Sequence, residues 1–281
     1  MGRREFAGRR PEAVSCASPD RRAFLGLAAG GLLATCSATP APRRVLRPLP
    51  PSDPGRSDAL STPSSQPSAE AAATVSSSPP EVGRAEIVAR YAGVAPAAWG
   101  LDVPGVVNRL PTGDRVLALT FDACGGARGS GYDAALIEAL RASGTPATLF
   151  LNHRWVLAHP EVTAELAGDP LFEVANHGRQ HRPLSVSGRS AYGIAGTANP
   201  GEAYDEVLGN RQSFMEATGV RPRFFRSGTA HYDDVAVRIA GDVGEVVVNF
   251  DVNGDSGATL GPQQVAAALQ TATPGSIVLG T

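Results

Sequence analysis

From Val116 onward the chain alternates short apolar runs with stretches of helical spacing. Residues 116–121 form a continuous apolar run followed by Asp122 and then by Gly125 and Gly126, the pattern of an interior strand that ends in a tight turn. Residues 132–142 then repeat apolar positions at Ala135, Leu136 and Leu140, which predicts a helix. The succession continues with a strand at 147–151 and a helix at 160–167 that carries Pro160 in its first turn. A strand follows at 172–175, and after a polar loop a long helix at 201–218. The remaining elements are a strand at 223–225, a helix at 233–240, a strand at 245–250, a helix at 262–272 and a last strand at 276–279. Strand and helix in steady alternation imply parallel strands joined by right-handed crossovers. So many units without a switch in the pattern favour a closed or nearly closed barrel over an open sheet. Residues 83–113 form a lead-in whose Trp99, Val106 and Val107 can pack against that barrel.

The polar residues fall at one kind of place. Asp122 follows the first strand, Asn176 and His177 the third, Arg226 the fourth and Asp251 the fifth. Carboxyl ends of strands are where a β/α barrel gathers its active site. Taken singly, Asp122 could equally cap the next helix or turn. In His177-Gly-Arg-Gln-His181 the i,i+4 spacing predicts two imidazoles on one face of a helical turn, close enough to share a metal ion. Neutral imidazoles favour Zn²⁺, with Co²⁺ or Ni²⁺ also admissible. His153 and His159 lack such a partner and read as a loop residue and a helix-entry residue. Arg226 leaves an apolar strand for a Gly-bearing loop, so if buried it needs an anion, and Asp122 and Asp251 are the candidates.

Composition narrows the classes. A net charge of −2 over 281 residues, with a pI near 6.2, gives no reason to invoke nucleic acid or a basic membrane-binding face. The amino terminus reads as an address: residues 1–36 contain the twin-arginine pattern Arg21-Arg-Ala-Phe-Leu25 and an apolar run too short to span a bilayer. This predicts export to the periplasm or cell surface. Leu33-Ala-Thr-Cys36 is lipobox-like, so a membrane tether through lipidated Cys36 and ordinary cleavage a few residues later both fit. Residues 37–82 are Pro, Ser, Ala and Thr with little apolar content, the composition of a disordered linker. The domain proper is therefore 83–281. Of three cysteines only Cys124 lies in it, which leaves no intrachain disulfide there.

Four motifs together carry a resemblance. Thr120-Phe-Asp-Ala-Cys-Gly-Gly126, Asn176-His-Gly-Arg-Gln-His181, Phe225-Arg-Ser-Gly-Thr229 and Asn249-Phe-Asp-Val-Asn-Gly-Asp255 resemble, in order and spacing, those of NodB-type polysaccharide deacetylases, carbohydrate esterase family 4. The resemblance implies a distorted (β/α) barrel and a divalent metal, usually zinc. It implies hydrolysis of N-acetyl, sometimes O-acetyl, groups on an acetylated polysaccharide such as peptidoglycan or chitin. By position, Asp122 resembles the catalytic base, His177 and His181 the metal ligands, and Arg226 the residue that holds the base. Asp251 or Asp255 resembles the acid that orients a catalytic histidine. An N–H from residues 227–229 would help hold the oxyanion.

Two departures qualify it. The position after Asp122, commonly a second, metal-binding Asp, is Ala123, so the metal shell falls to Asp122 itself, to water or to Cys124. The family's closing histidine would follow the last strand, where Gly280 and Thr281 end the sequence, so a C-terminal fragment is expected; His231 is the conceivable substitute. Two other readings stand beside a metal-dependent amidase. One is a non-catalytic carbohydrate-binding protein of the cell envelope. The other is a hydrolase of small amides, its groove narrowed by the loop at 182–200 that carries Tyr192.

Overall fold

The computed structural model describes residues 82–127 and 129–281. The export segment, the Cys36 tether and the linker up to residue 81 lie outside the described residues. No helix among the described residues is long and apolar enough to cross a membrane.

Seven parallel strands make the sheet. They are β2 (Ala118–Ala123), β3 (Ala147–Leu151), β4 (Phe172–Asn176), β5 (Phe224–Phe225), β7 (Val246–Val247), β8 (Val252–Asn253) and β9 (Ile277–Gly280). Their order across the sheet is β7-β5-β4-β3-β2-β9-β8. A short antiparallel pair, β1 (Trp99–Gly100) with β6 (Tyr232–Asp233), stands beside it. The two outer strands of the sheet, β7 and β8, belong to one stretch of chain, residues 246–253. Its beginning pairs with β5, at Phe224↔Val246, and its end with β9, at Asn253↔Leu279. The sheet thus curls until both margins meet on one segment, which is the expected distorted (β/α) barrel. Between them the ladder is interrupted, and the lead-in fills the gap: Val107 accepts from Asn249 N–H (2.8 Å) and donates to Val247 C=O (2.9 Å). The strand expected at 245–250 is therefore shortened to Val246–Val247, and pairing resumes only beyond it at Val252, because Asn249 turns to Val107 instead of to a sheet neighbour.

Pairing also moves the first strand. It begins at Ala118, where the backbone N–H donates to Ser276 C=O, and not at Val116; Val116 and Leu117 are half exposed. Asp122 accordingly lies inside β2, opposite Phe150 of β3, instead of just beyond the strand. Alternation along β2 then divides its side chains. Leu119, Phe121 and Ala123 pack on the helix-covered outer face, while Thr120 and Asp122 point to the barrel interior and meet Arg226.

The helices are α1 (Arg84–Arg90), α2 (Ala134–Ser143), α3 (His153–Ala158), α4 (Pro160–Gly168), α5 (Pro200–Thr218), α6 (Asp234–Asp242) and α7 (Pro262–Leu269). Neither α1 nor α3 was foreseen; α3 has six residues, too few for a period to show, and is set by Asn152, whose side chain caps Arg154 N–H. The nineteen-residue α5 ties the molecule together. Its Ala203, Val207 and Leu208 join the core with α1, α6, Phe225 and Val247, and its Phe214 joins the core of α2, α3, α4, β3 and β4.

Candidate active site

Arg226 runs through the barrel interior, fully buried, and every nitrogen of its guanidinium is engaged. Nε donates to Val248 C=O (3.1 Å), Nη2 to Asn249 C=O (3.0 Å), and Nη1 to Thr120 Oγ1 (3.0 Å) and Asp122 Oδ1 (2.7 Å). The Phe150 ring lies under it at 4.1 Å. Such a plane, pinned at several points, fixes the carboxylate of Asp122 in orientation as well as charge. Asp122 Oδ2 is left facing the imidazole of His177, 3.7 Å from Nε2. Burial pushes the Asp122 carboxyl up, against the opposing pull of the Arg226 charge and hydrogen bond.

His177 and His181 meet with ring centroids 4.9 Å apart, nearly perpendicular. A helical turn does not bring them together. The backbone is left-handed at Gly178 (φ 76°) and at His181 (φ 62°), and the loop wraps a carboxylate from α5. Glu206, 3 % exposed, accepts from Gln180 N–H with both oxygens (2.9 Å each) and from Arg182 N–H (3.2 Å). A side chain at Gly178 would put its Cβ 2.6 Å from Glu206 Oε1. Beneath the loop, Asn152 donates to His177 C=O (3.0 Å) and Gly178 C=O (2.6 Å), and Asn176 Oδ1 accepts from Gly178 N–H (2.9 Å) and from Asn210. Against the other side lies Gly228, where a Cβ would collide with the His181 ring.

The two imidazoles are prepared as ligands. His177 Nδ1 hydrogen-bonds the Arg226 carbonyl (3.1 Å), an arrangement that leaves a lone pair on Nε2. His181 Nε2 is buried with no hydrogen-bond partner, a cost that a metal ion would remove. Burial above all, with the Arg226 charge beside His177, pushes both imidazoles down to about 3, so both are neutral. Among the described residues, one group of three possible ligands has its donor atoms all within 4.8 Å: Cys124, His177 and His181. The donor set fits a divalent metal of the zinc type.

Not every expected residue joins them. Asp251 sits at the opposite end of the barrel, level with the start of β9. There Ile277 N–H (2.8 Å) and Ser276 Oγ (3.0 Å) donate to it and Arg109 pairs with it. It is not at the rim and pairs with Arg109 instead of Arg226, and the reason is the ladder: β8 starts one residue later and carries the chain toward the rim. Asp255, four residues on, is at the rim end, accepting from Thr281 N–H (2.6 Å) and Gly257 N–H (3.1 Å). Ser227 N–H is committed to the hydroxyl of Tyr232 (3.0 Å), which removes it as an oxyanion donor. His231, on the loop after β5, has Trp99 at 5.9 Å and Tyr192 edge-on at 5.1 Å, and Arg189 lies over Trp99 at 5.0 Å. His153 bonds Ser213 and His159 bonds Ser130 C=O, structural partners in both cases. Glu206, Asn152 and Asn210 escaped the sequence reading; only the Gly-bearing spacing of the histidine loop hinted that something must hold it.

Residues 109–248 match the family model described as polysaccharide deacetylase. No curated protein sequence matches the chain. Among solved structures, the fold is shared with a CE4 family pseudoenzyme from Bacillus anthracis, at TM-score 0.54 and 23% identity over 63% of this chain and 58% of that one. It is shared too with a peptidoglycan N-acetylglucosamine deacetylase in complex with an N-oxidanyl-benzamide, at TM-score 0.53 and 18% identity over 63% of this chain and 76% of that one. A family 4 carbohydrate esterase from Bacillus subtilis aligns at TM-score 0.50 and 19% identity, over 62% of this chain and 70% of that one. The chain spans about three fifths of the length of the first structures it matches. With the match at residues 109–248 and this shared barrel, the chain belongs to the polysaccharide deacetylase family.

Proposed function

We propose that the protein is an exported, metal-dependent hydrolase that removes N-acetyl (or O-acetyl) groups from a polysaccharide such as peptidoglycan or a chitin-like polymer. The observation that carries this is the convergence of Asp122, Arg226, His177 and His181 on one mouth of the barrel. His177 and His181 would hold the metal, zinc being the ion their chemistry favours over cobalt or nickel. When bound, it supplies Lewis-acid activation of a water and of the acetyl carbonyl. Asp122 Oδ2 faces that place and accepts the water's proton, while Arg226 keeps the carboxylate in line through Oδ1. The hydroxyl of Thr120 and the carbonyls of Val248 and Asn249 keep Arg226 from swinging toward the substrate.

A polymer, in preference to a small amide, is supported by the rings of Trp99, Tyr192 and His231 with Arg189. They gather around His231 on the loop after β5, the loop whose Gly228 abuts His181, and flat amphipathic surfaces of this kind suit sugar rings. Export rests on Arg21-Arg-Ala-Phe-Leu25, and a membrane tether through Cys36 belongs to the same proposal. Ala123 favours a second reading, a non-catalytic glycan-binding protein, because it leaves the strand end without the usual carboxylate. Incubation of the zinc-loaded protein with acetylated chito-oligomers and with peptidoglycan separates the two. Acetate release that a chelator stops is expected; glycan binding without acetate from either substrate would leave the second reading standing.

A further inference from the structure

We propose that the thiolate of Cys124 is the third protein ligand of the metal, making this a Cys/His/His centre. The inference rests on the metal-dependent reading above and deepens it.

Ala123 ends β2 without a donor, and the chain then folds back on itself. Gly125 (φ 66°) and Gly126 (φ 86°) are left-handed, and Gly125 N–H donates to Gly129 C=O (2.8 Å). A Cβ on Gly125 would sit 2.8 Å from Trp155 N and 2.9 Å from Arg154 Cβ, so the turn is pressed against the start of α3 and only glycine fits. Arg154 Nη2 donates to Cys124 C=O (3.2 Å) from the same side. This clamp directs the side chain of Cys124 inward. Its sulfur lies 3.9 Å from His177 Nε2, and Sγ and one nitrogen from each imidazole fall within 4.8 Å of one another. With Zn–S of about 2.3 Å and Zn–N of about 2.0 Å, the sulfur–nitrogen edge of a tetrahedral zinc site is about 3.5 Å. The observed edge is a few tenths wider, within the reach of small side-chain rotations.

Two further points decide between a ligand and a buried small hydrophobe, the commoner role of a cysteine inside a domain. Apolar packing would not leave His181 Nε2 buried and unpartnered next to it. Asp122 Oδ2 also approaches His177 Nε2 (3.7 Å), but the residue is not part of the close triad, and its Oδ1 is held by Arg226 at 2.7 Å. Division of labour results: the thiolate neutralises part of the metal's charge, and Asp122 is left to move a proton. A soft sulfur donor also shifts preference toward Zn²⁺ and Cd²⁺ and away from Mg²⁺ and Mn²⁺.

The test uses the full chain, with zinc and cobalt as probes. X-ray absorption at the zinc edge of the wild-type protein should show one sulfur at about 2.3 Å beside nitrogen or oxygen at about 2.0 Å. The Co²⁺ form should show a near-ultraviolet sulfur-to-cobalt charge-transfer band that Cys124→Ser and Cys124→Ala both lose. Zinc affinity should fall at least about 100-fold in both variants, more than loss of an outer-shell partner costs. Equal thermal unfolding of the metal-free proteins would show that the fold is retained; the zinc-edge measurement needs no variant. A zinc shell without sulfur, or visible cobalt bands without the charge-transfer band, overturns the Cys124 assignment and leaves the His177–His181 metal reading intact. No cobalt spectrum and no zinc uptake in the wild-type protein overturns both.

Discussion

Asp122 and Asp251 are both carboxylates at ends of barrel strands, and they are used in opposite ways. Asp251 is saturated: Ile277 N–H takes one oxygen, Ser276 Oγ and Arg109 the other. It ties the base of β9 to the lead-in and has nothing left to offer. Asp122, at the other end, gives one oxygen to Arg226 and points the second at His177 without a hydrogen bond of ordinary length. Spare capacity, held in place by a rigid partner, separates an acid that can do chemistry from one that holds a fold. Proximity to a strand end, which both share, does not.

Substitution sharpens the contrast, most of all at the rim. Asp122→Asn should lower the rate of acetate release by about 100- to 10,000-fold while zinc affinity, read by competition with a chelating dye, stays near wild type. Unchanged turnover would remove Asp122 from the reaction. Next comes its partner. Arg226→Met should cost about 3–5 kcal/mol in urea unfolding, because it strands a buried carboxylate; adding Asp122→Leu should recover much of that loss. If the double variant is as unstable as the single one, the pair is not what holds the interior. The smallest effect belongs to the base of the barrel. Asp251→Asn should cost about 1–3 kcal/mol, through the backbone N–H and Arg109 it leaves poorly matched, and should change neither metal affinity nor acetate release. Loss of metal with Asp251→Asn would erase the distinction between the two ends.

The parts of this layout visible beforehand were those written in local pattern. The strand at 147–151 needed only its apolar run and the breaks around it, and both of its bounds agree with β3. Its neighbour β2 was displaced by two residues because Val116 and Leu117 are as apolar as the residues after them; Ser276, distant in sequence, decides where pairing begins. The histidine spacing is legible but its backbone is not, since Glu206, the residue that shapes the loop, comes from a helix a full unit later. Asp251 and Asp255 were indistinguishable for a similar reason. They are four positions apart on a broken strand, and only the ladder between β8 and β9 reveals that one faces each end.

The break at Asn249 gives the lead-in more weight than its irregular form suggests. Val107 occupies a gap in the wall of the barrel, yet it precedes residue 109, where the family match begins. A protein whose amino-terminal side alone is cut back to residue 109 would keep the rim residues and lose the plug. The backbone N–H of Asn249 and C=O of Val247 would then lie open on an unguarded sheet margin, the kind that recruits a second chain. Self-association of the shortened form would be the price of a cut chosen by sequence similarity alone.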